Sequence, residues 1–324
     1  MRRFLLVSLF VLLTSLAVGC RGTTPDNDNG TNGVGDVPKE IEFVDVYLLN
    51  DLHGRVDAEN GSIGLAEIGN YLINMKDKYP DETVILAGGD MFRDPVSDNA
   101  ENERHIEKLA KIFARSHFDA FMIGNHEFYY GIHDFIDTFR HAADIPLLLA
   151  NVYPEGSDAT LRHVRSNIVI ERGHLTIGII GTIEEGIDAY MPPGGLLGLQ
   201  PFQDPVPIVE FLSRQLRNVH GADIVILLTH DGGDVLNDRI AALSDDARVD
   251  LILNSHRHLA LKGYAGDVPY IQSGAYGEYL GHVRLSIEDK EIVDVKMRNL
   301  TAYDDDFFST PHPDLQDIID EYRD

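Results

Sequence analysis

Five apolar runs in this chain each end in a short polar cluster, and no other feature restricts the fold as much. Residues 46–49 lead to Asp51 and His53, and residues 84–87 to Gly89 and Asp90. Residues 121–123 lead to Gly124, Asn125, His126 and Glu127, residues 224–228 to Thr229 and His230, and residues 251–253 to His256, Arg257 and His258. Runs so short and so apolar read as buried strands. In open α/β sheets, ligands gather at the carboxyl ends of the strands, so side chains spread over about two hundred positions can meet at one edge.

Between these runs, apolar residues recur at three- and four-residue spacing. This predicts helices over 65–76, 103–116, 133–143 and 207–219, with Ile106, Leu109, Ala110 and Phe113 sharing one face. Further strands are expected at 147–152, 177–181 and 268–272, with a closing hairpin over 282–298 that turns near Glu288, Asp289 and Lys290. Strands interleaved with helices imply a layered α/β architecture. No compositional break and no internal repeat interrupts residues 41–302, which are expected to form one domain. Residues 303–324 read as an acidic tail with a possible short helix over 315–322.

The chain carries 53 acidic against 27 basic side chains, a formal charge of -26. That balance argues against a nucleic-acid polymer or an anionic lipid surface as a broad electrostatic partner. A small phosphorylated substrate remains compatible, because bound divalent cations invert the local field whatever the net charge.

Arg2 and Arg3 precede an uncharged apolar stretch over 4–18. It falls short of the roughly 20 residues that span a bilayer and suits a secretory leader over 1–19. Ala17, Val18, Gly19 and Cys20 resemble the bacterial lipoprotein signal, which implies a lipidated Cys20 at the mature N-terminus. The alternative is an ordinary signal peptide with an incidental cysteine. Residues 20–40, rich in Gly, Thr, Asn and Asp, read as a flexible tether. Taken together, these features predict an exported protein, lipid-anchored at the bacterial cell surface or on the periplasmic side of a membrane. As Cys20 is the only cysteine, no disulfide can form within the chain.

The polar clusters supply candidate ligands for a pair of divalent ions. Two ions about 3.5–4 Å apart need one bridging ligand, with hard or borderline oxygen and nitrogen donors around it. Asp90 is the natural bridge, since Gly88 and Gly89 let the backbone turn and leave space beside it; a plain turn aspartate is the alternative. Asp51 and His53 stand two apart and can chelate one ion together, and His256 and His258 repeat that spacing. Asn125 can offer a neutral amide oxygen. Histidines 105, 117, 133, 141, 163, 174, 220, 282 and 312 take structural roles in this reading.

Residues 50–55 (NDLHGR), Gly89 with Asp90, residues 124–128 (GNHEF) and residues 255–258 (SHRH) resemble the ordered signature of calcineurin-like metallophosphoesterases. Together with Ala150, Asn151 and Val152, they are similar to the catalytic domain of the 5'-nucleotidase family. The resemblance implies an α/β/β/α sandwich over 41–302 with a metal site at the strand ends. It also implies a two-metal phosphoesterase acting on small phosphate esters, nucleotides first, through a metal-activated water. One ion would be held by Asp51, His53, Asp90 and His258, and the other by Asp90, Asn125, His230 and His256. The metals could be Mn, Fe, Zn or Co. His126 would stabilise the transition state or protonate the leaving group, and Arg55 is either a phosphate contact or a surface arginine.

Three positions depart from the pattern. Tyr129 stands where the nucleotidases have an aspartate that orients the catalytic histidine, leaving His126 unoriented or partnered by Asp94 or another carboxylate. Ser255 stands where a glycine usually precedes the histidine pair. In 5'-nucleotidases a C-terminal domain stacks the base, and residues 303–324 lie about where it would begin, so nucleotide specificity draws no support from these motifs, while Tyr129, Tyr130 and Tyr276 offer aromatic surface or simple loop packing. Alternatives are a phosphodiesterase for cyclic nucleotides or nucleotide sugars, and a surface binding protein with weakened catalysis.

Overall fold

The computed structural model describes residues 40–323, so the expected leader, Cys20 and most of the tether lie outside the described residues. The first apolar run forms β1 (Phe43–Leu49), and α1 (Leu65–Lys78), β2 (Thr83–Ala87), α2 (Asn99–Arg115) and β3 (Ala120–Met122) follow. Next come α3 (Ile132–Ala142), β4 (Leu147–Leu148) and β5 (Val164–Arg165). These five strands lie side by side and parallel in chain order. α2 starts at Asn99, earlier than its apolar spacing predicts, because Asp98 caps it by accepting from the backbone N–H groups of Ala100 (2.9 Å) and Glu101 (3.2 Å). The strand expected over 147–152 stops at Leu148. Beyond it the Asn151 side chain replaces the ladder, donating to the carbonyls of Ile183 and Gln203 (both 2.8 Å) and accepting from Ile183 N–H (2.9 Å).

A second sheet is built from β6 (Asn167–Arg172), β7 (Leu175–Ile183), β8 (Ile224–His230), β9 (Leu251–Asn254), β10 (Ala260–Ala265) and β11 (Val268–Ser273). Its order is β10-β11-β9-β8-β7-β6, and α4 (Pro205–His220) and α5 (Asp234–Ala241) cover its outer face. β8 shows how one strand serves two cores. Ile224, Ile226 and Leu228 face the core between the sheets, while Val225 and Leu227 pack under the helices. The short elements β5, β6, β10 and α5 were not expected from the sequence. Each is brief or largely exposed, so little apolar periodicity marks it.

The closing hairpin is β12 (Leu280–Glu288) and β13 (Glu291–Leu300), turned at Asp289 and Lys290 with φ of 50° and 68°, the positive pair that tight hairpins use. β12 pairs antiparallel with β1, giving the first sheet the order β13-β12-β1-β2-β3-β4-β5. α6 (Pro313–Arg323) then packs on α1 and α2, burying Leu315 and Ile319, and Phe308 joins the same core. Residues 303–323, set apart in the sequence as a tail, are thus part of the packed fold: their spaced apolar side chains meet the small gap at Gly69, where an added Cβ would lie 2.2 Å from Leu315. With α1, α2, α3 and α6 flanking the first sheet, the layers run α/β/β/α.

Candidate metal centre and active site

All five polar clusters reach one end of the sandwich. Three overlapping groups form there: Asp51 with His53 and His258, His53 with Asp90 and His126, and Asp90 with His230 and His256, the ligand atoms of each lying within 4.8 Å of one another. The turns that deliver them are tight. Asp51, His53, Asp90, His256 and His258 have φ of 52°, 49°, 53°, 78° and 56°, in the left-handed region that side chains seldom adopt. Backbone bonds hold them there: Asp51 N–H donates to Gly89 O, His53 N–H to Asp90 O and Gly54 N–H to Met91 O, each at 3.0 Å. Glycine is required where the loops meet, since a Cβ on Gly124 would lie 2.3 Å from Asp90 Oδ1 and one on Gly89 would lie 2.7 Å from Gly124 N.

Neighbouring polar groups aim the ligands. Asn50 donates to Asp51 Oδ2 (2.7 Å) and to Gly274 O (2.8 Å), while His256 N–H donates to the same carboxylate (2.9 Å). Glu127 is fully buried and accepts from the N–H groups of Asp90 (3.0 Å), Met91 (2.9 Å) and Gly124 (2.7 Å), clamping the loops after β2 and β3 together. Burial and the charge of Asp90 push its carboxyl up to about 7. Ser255, at the position of the expected glycine, puts its hydroxyl to use by donating to Gly88 O (2.6 Å), with Thr229 O (3.0 Å) and His230 Nδ1 (3.0 Å) also in reach.

Asp90 Oδ2 stands 3.1 Å from His230 Nε2, 3.9 Å from His126 Nε2 and 4.0 Å from His53 Nε2. Burial alone would raise the Asp90 carboxyl, but the charge and hydrogen bond of His230, with His126 and His53, hold it well below the usual carboxylate range. Burial opposes charge on His230 too, yet Asp90 pushes that ring up to about 10. Burial keeps His53 low and, with His230, pushes His256 down to about 4, favouring the neutral ring that ligates metals. His258 is raised by its bond to Asp51.

The donor set fits divalent cations. His230 donates Nδ1–H to Gly88 O (2.8 Å), so Nε2 faces two acceptors, Asp90 Oδ2 and Asn125 Oδ1, both at 3.1 Å. His53 and His258 bring their Nε2 atoms within 3.0 Å of each other. A ring nitrogen set between two oxygens, which the metal-free protein meets with the added proton on His230, and two ring nitrogens aimed at one another are arrangements that a divalent cation also reconciles. Imidazole, carboxylate and amide oxygen suit borderline first-row metals.

Position 129 holds no carboxylate for His126. Instead Asp94, from the loop after β2, places Oδ1 2.7 Å from His126 Nδ1. Tyr129 packs its ring 4.6 Å from that imidazole, centre to centre. Tyr276 touches both His53 (5.6 Å) and His258 (5.3 Å), and the Arg55 guanidinium lies over its ring at 5.3 Å. Tyr130 is taken up in packing, its hydroxyl donating to Arg93 O.

The family model for calcineurin-like phosphoesterases matches residues 44–260, a span that takes in every cluster. The chain belongs to the calcineurin-like phosphoesterase family. Among curated relatives, an apyrase from Tabanus yao is 24% identical, covering 86% of this chain and 53% of its own length. A snake venom 5'-nucleotidase from Crotalus adamanteus is 26% identical, covering 76% and 45%. The endonuclease YhcR of Bacillus subtilis is 22% identical, covering 88% and 25%. The chain therefore spans about half, or less, of the curated relatives it matches. Among solved structures, the fold matches a putative 5'-nucleotidase from Staphylococcus aureus with a TM-score of 0.68 at 22% identity, covering 87% of this chain and 58% of that one. YfkN from Bacillus subtilis gives 0.67 at 20%, covering 87% and 97%.

The structure thus brings Asp51, His53, Asp90, Asn125, His126, His230, His256 and His258 together. Among the described residues, none of the nine histidines set aside falls in a group able to hold a metal. Sequence reasoning passed over Asn50 and Glu127 as positioning groups, and Glu184, whose Oε2 lies 3.6 Å from His256 Nε2. Glu184 follows the apolar run of β7, so the rule that found the other clusters also marks it.

Proposed function

We propose that this protein is a metal-dependent phosphomonoesterase that hydrolyses small phosphate esters, nucleotides foremost. Asp51, His53, Asp90 and His258 would hold one divalent cation, and Asp90, Asn125, His230 and His256 a second, with Asp90 shared. The reading is carried by one carboxylate oxygen, Asp90 Oδ2, faced by ring nitrogens from the ends of three separate strands, β8, β3 and β1, at 3.1, 3.9 and 4.0 Å. When bound, the cations supply Lewis acidity toward phosphate oxygens and water.

The chain's own groups account for the rest. With Nδ1–H held on Asp94, His126 turns Nε2 toward Asp90; from the doubly protonated ring, Nε2 gives its proton to the departing alkoxide and the Nδ1–H tautomer is left on Asp94. Asp94 fixes the tautomer and ring angle, as carboxylate partners of imidazoles do. Arg55, laid on Tyr276 beside His53 and His258, offers a guanidinium fork matched to phosphate oxygens.

The apyrase and 5'-nucleotidase relatives support a nucleotide substrate, and the endonuclease relative keeps a phosphodiester reading in view. A hydrolysis screen with added manganese, across nucleotides, cyclic nucleotides, nucleotide sugars and simple esters, separates the two: monoester cleavage releases inorganic phosphate, whereas cleavage of a cyclic nucleotide or nucleotide sugar leaves a phosphate monoester, read by chromatography. Metal analysis of the same preparation, with Asp90→Ala as control, tests the centre. Turnover no greater than that control defeats the proposal. We extend it to an exported enzyme held by a lipidated Cys20, a reading that rests on sequence alone. Cys20→Ser should then release the protein to the soluble fraction and abolish fatty-acid labelling; a variant that stays labelled and membrane-bound defeats that part.

A further inference from the structure

A cleft of about 600 Å³ opens beside the candidate centre, with Asn125 and His256 in its floor. Tyr129 forms one wall, on the side of His126, and the segment after β7 forms the other with Ile187, Tyr190 and Met191. Tyr190 is 88% exposed, on a turn that follows Gly186 at φ 78°. An aromatic side chain left almost wholly in water at the rim of a cleft has apolar area to bury against a ligand. The polar part of the lining is acidic: Glu184 and Glu185 face a single guanidinium, Arg257, which already pairs with Glu184 at 3.2 Å.

We infer that this cleft receives the alcohol portion of the ester, and that Tyr129 and Tyr190 favour alcohols bearing a planar ring system. The inference rests on the phosphomonoesterase reading for its chemistry, but the cleft itself is a binding surface independent of it. Position follows from the proton donor: an alkoxide leaving toward His126 Nε2 places its own substituent against Tyr129, the residue packed on that imidazole. Size follows from volume, because about 600 Å³ lies within the range of small-molecule sites. Charge follows from the paired glutamates, which repel a second phosphate and admit a neutral ring. A planar group resting on tyrosine rings gains stacking that an aliphatic alcohol cannot. Tyr129 thus occupies the position of the family's usual carboxylate as a wall, while Asp94 takes over the carboxylate's bond to His126.

The decisive comparison is adenosine 5'-monophosphate against ribose 5-phosphate, which share a primary leaving alkoxide and differ at the base. The expected kcat/KM ratio is about ten- to a hundredfold in favour of the nucleotide, falling toward one in Tyr190→Ala. Tyr190 contributes nothing to the core, so this variant should fold, and Tyr129→Leu should lower the ratio from the opposite wall. A wild-type ratio near one, or a ratio that Tyr190→Ala leaves intact, overturns the inference. If neither ester is hydrolysed, calorimetric titration of adenosine into metal-free protein decides the matter separately. Saturable binding that Tyr190→Ala removes upholds the cleft while the phosphoesterase reading falls, and absence of binding overturns the cleft.

Discussion

Asp45 lies near the start of β1 and Asp51 just past its end, and each faces histidine, yet the two surroundings differ in kind. Asp45 accepts from His282 Nε2 (2.8 Å) and from Arg284 Nε (2.8 Å) and Nη2 (2.6 Å), so both its oxygens are satisfied. His282 in turn stacks on Tyr47 at 4.8 Å. Asp51 has no guanidinium. It is held by Asn50 and the His256 N–H, with His258 Nε2 3.5 Å away and the His53 ring beyond, on backbone in the left-handed region. Carboxylate and imidazole in contact are therefore not a metal signature in themselves. What separates the two regions is whether protein donors close the cluster or leave ring nitrogens facing one another.

The sharpest break in this comparison is a pair of substitutions. Asp51→Ala should cut phosphate release by more than about a hundredfold, exceeding the loss usual for an outer partner of a metal site, and lower bound metal with little change in the urea midpoint of metal-free protein. Asp45→Ala should do the reverse, costing about 1.5–3 kcal/mol in urea unfolding while the folded fraction turns over normally. If both variants lose metal alike, the distinction between the two ends of β1 fails.

Asp94→Asn tests the partner of His126: kcat should fall by about tenfold or more with KM nearly steady, and Tyr129→Asp in that background should recover part of the loss. A KM effect alone would place Asp94 in binding instead. The smallest effect is in pH. Burial would raise the Asp45 carboxyl, but the hydrogen bonds and charges of Arg284 and His282 hold it below the ordinary aspartate value of about 3.9. Its stabilisation is then complete above that value and is lost as pH falls through the lower folded value. The stability gap between wild type and Asp45→Asn should accordingly narrow only below about pH 4 in acid-titrated urea curves; a gap already narrowing at neutral pH would show that the Asp45 carboxylate is not its source.

That the candidate ligands would converge could be read from the chain because each follows a short apolar run that forms a buried strand, and in a parallel sheet such strands end at one edge. Order and residue type did the rest for Asp51, Asp90, His230 and His258. Asp94 was visible only as one of several carboxylates, since nothing local ties it to an imidazole 32 positions away. Asn50 and Glu127 sat inside quoted motifs without a role, because hydrogen bonds to backbone N–H groups leave no periodic trace. In the fold, α6 was weakly marked for a related reason: Leu315 and Ile319 are sparse on their own and gain meaning only against the gap at Gly69.

The partner that β1 finds in β12 carries a consequence for synthesis. His282 comes 237 positions after Asp45. At about 5–20 residues per second, the ribosome needs on the order of ten seconds or more to deliver it. Throughout that interval one flank of the apolar strand has no neighbour, the condition under which nascent chains join each other edge to edge. A carboxylate set into that strand at position 45 is costly to bury against another chain's apolar edge, and its guanidinium partner Arg284 is supplied only by β12 itself.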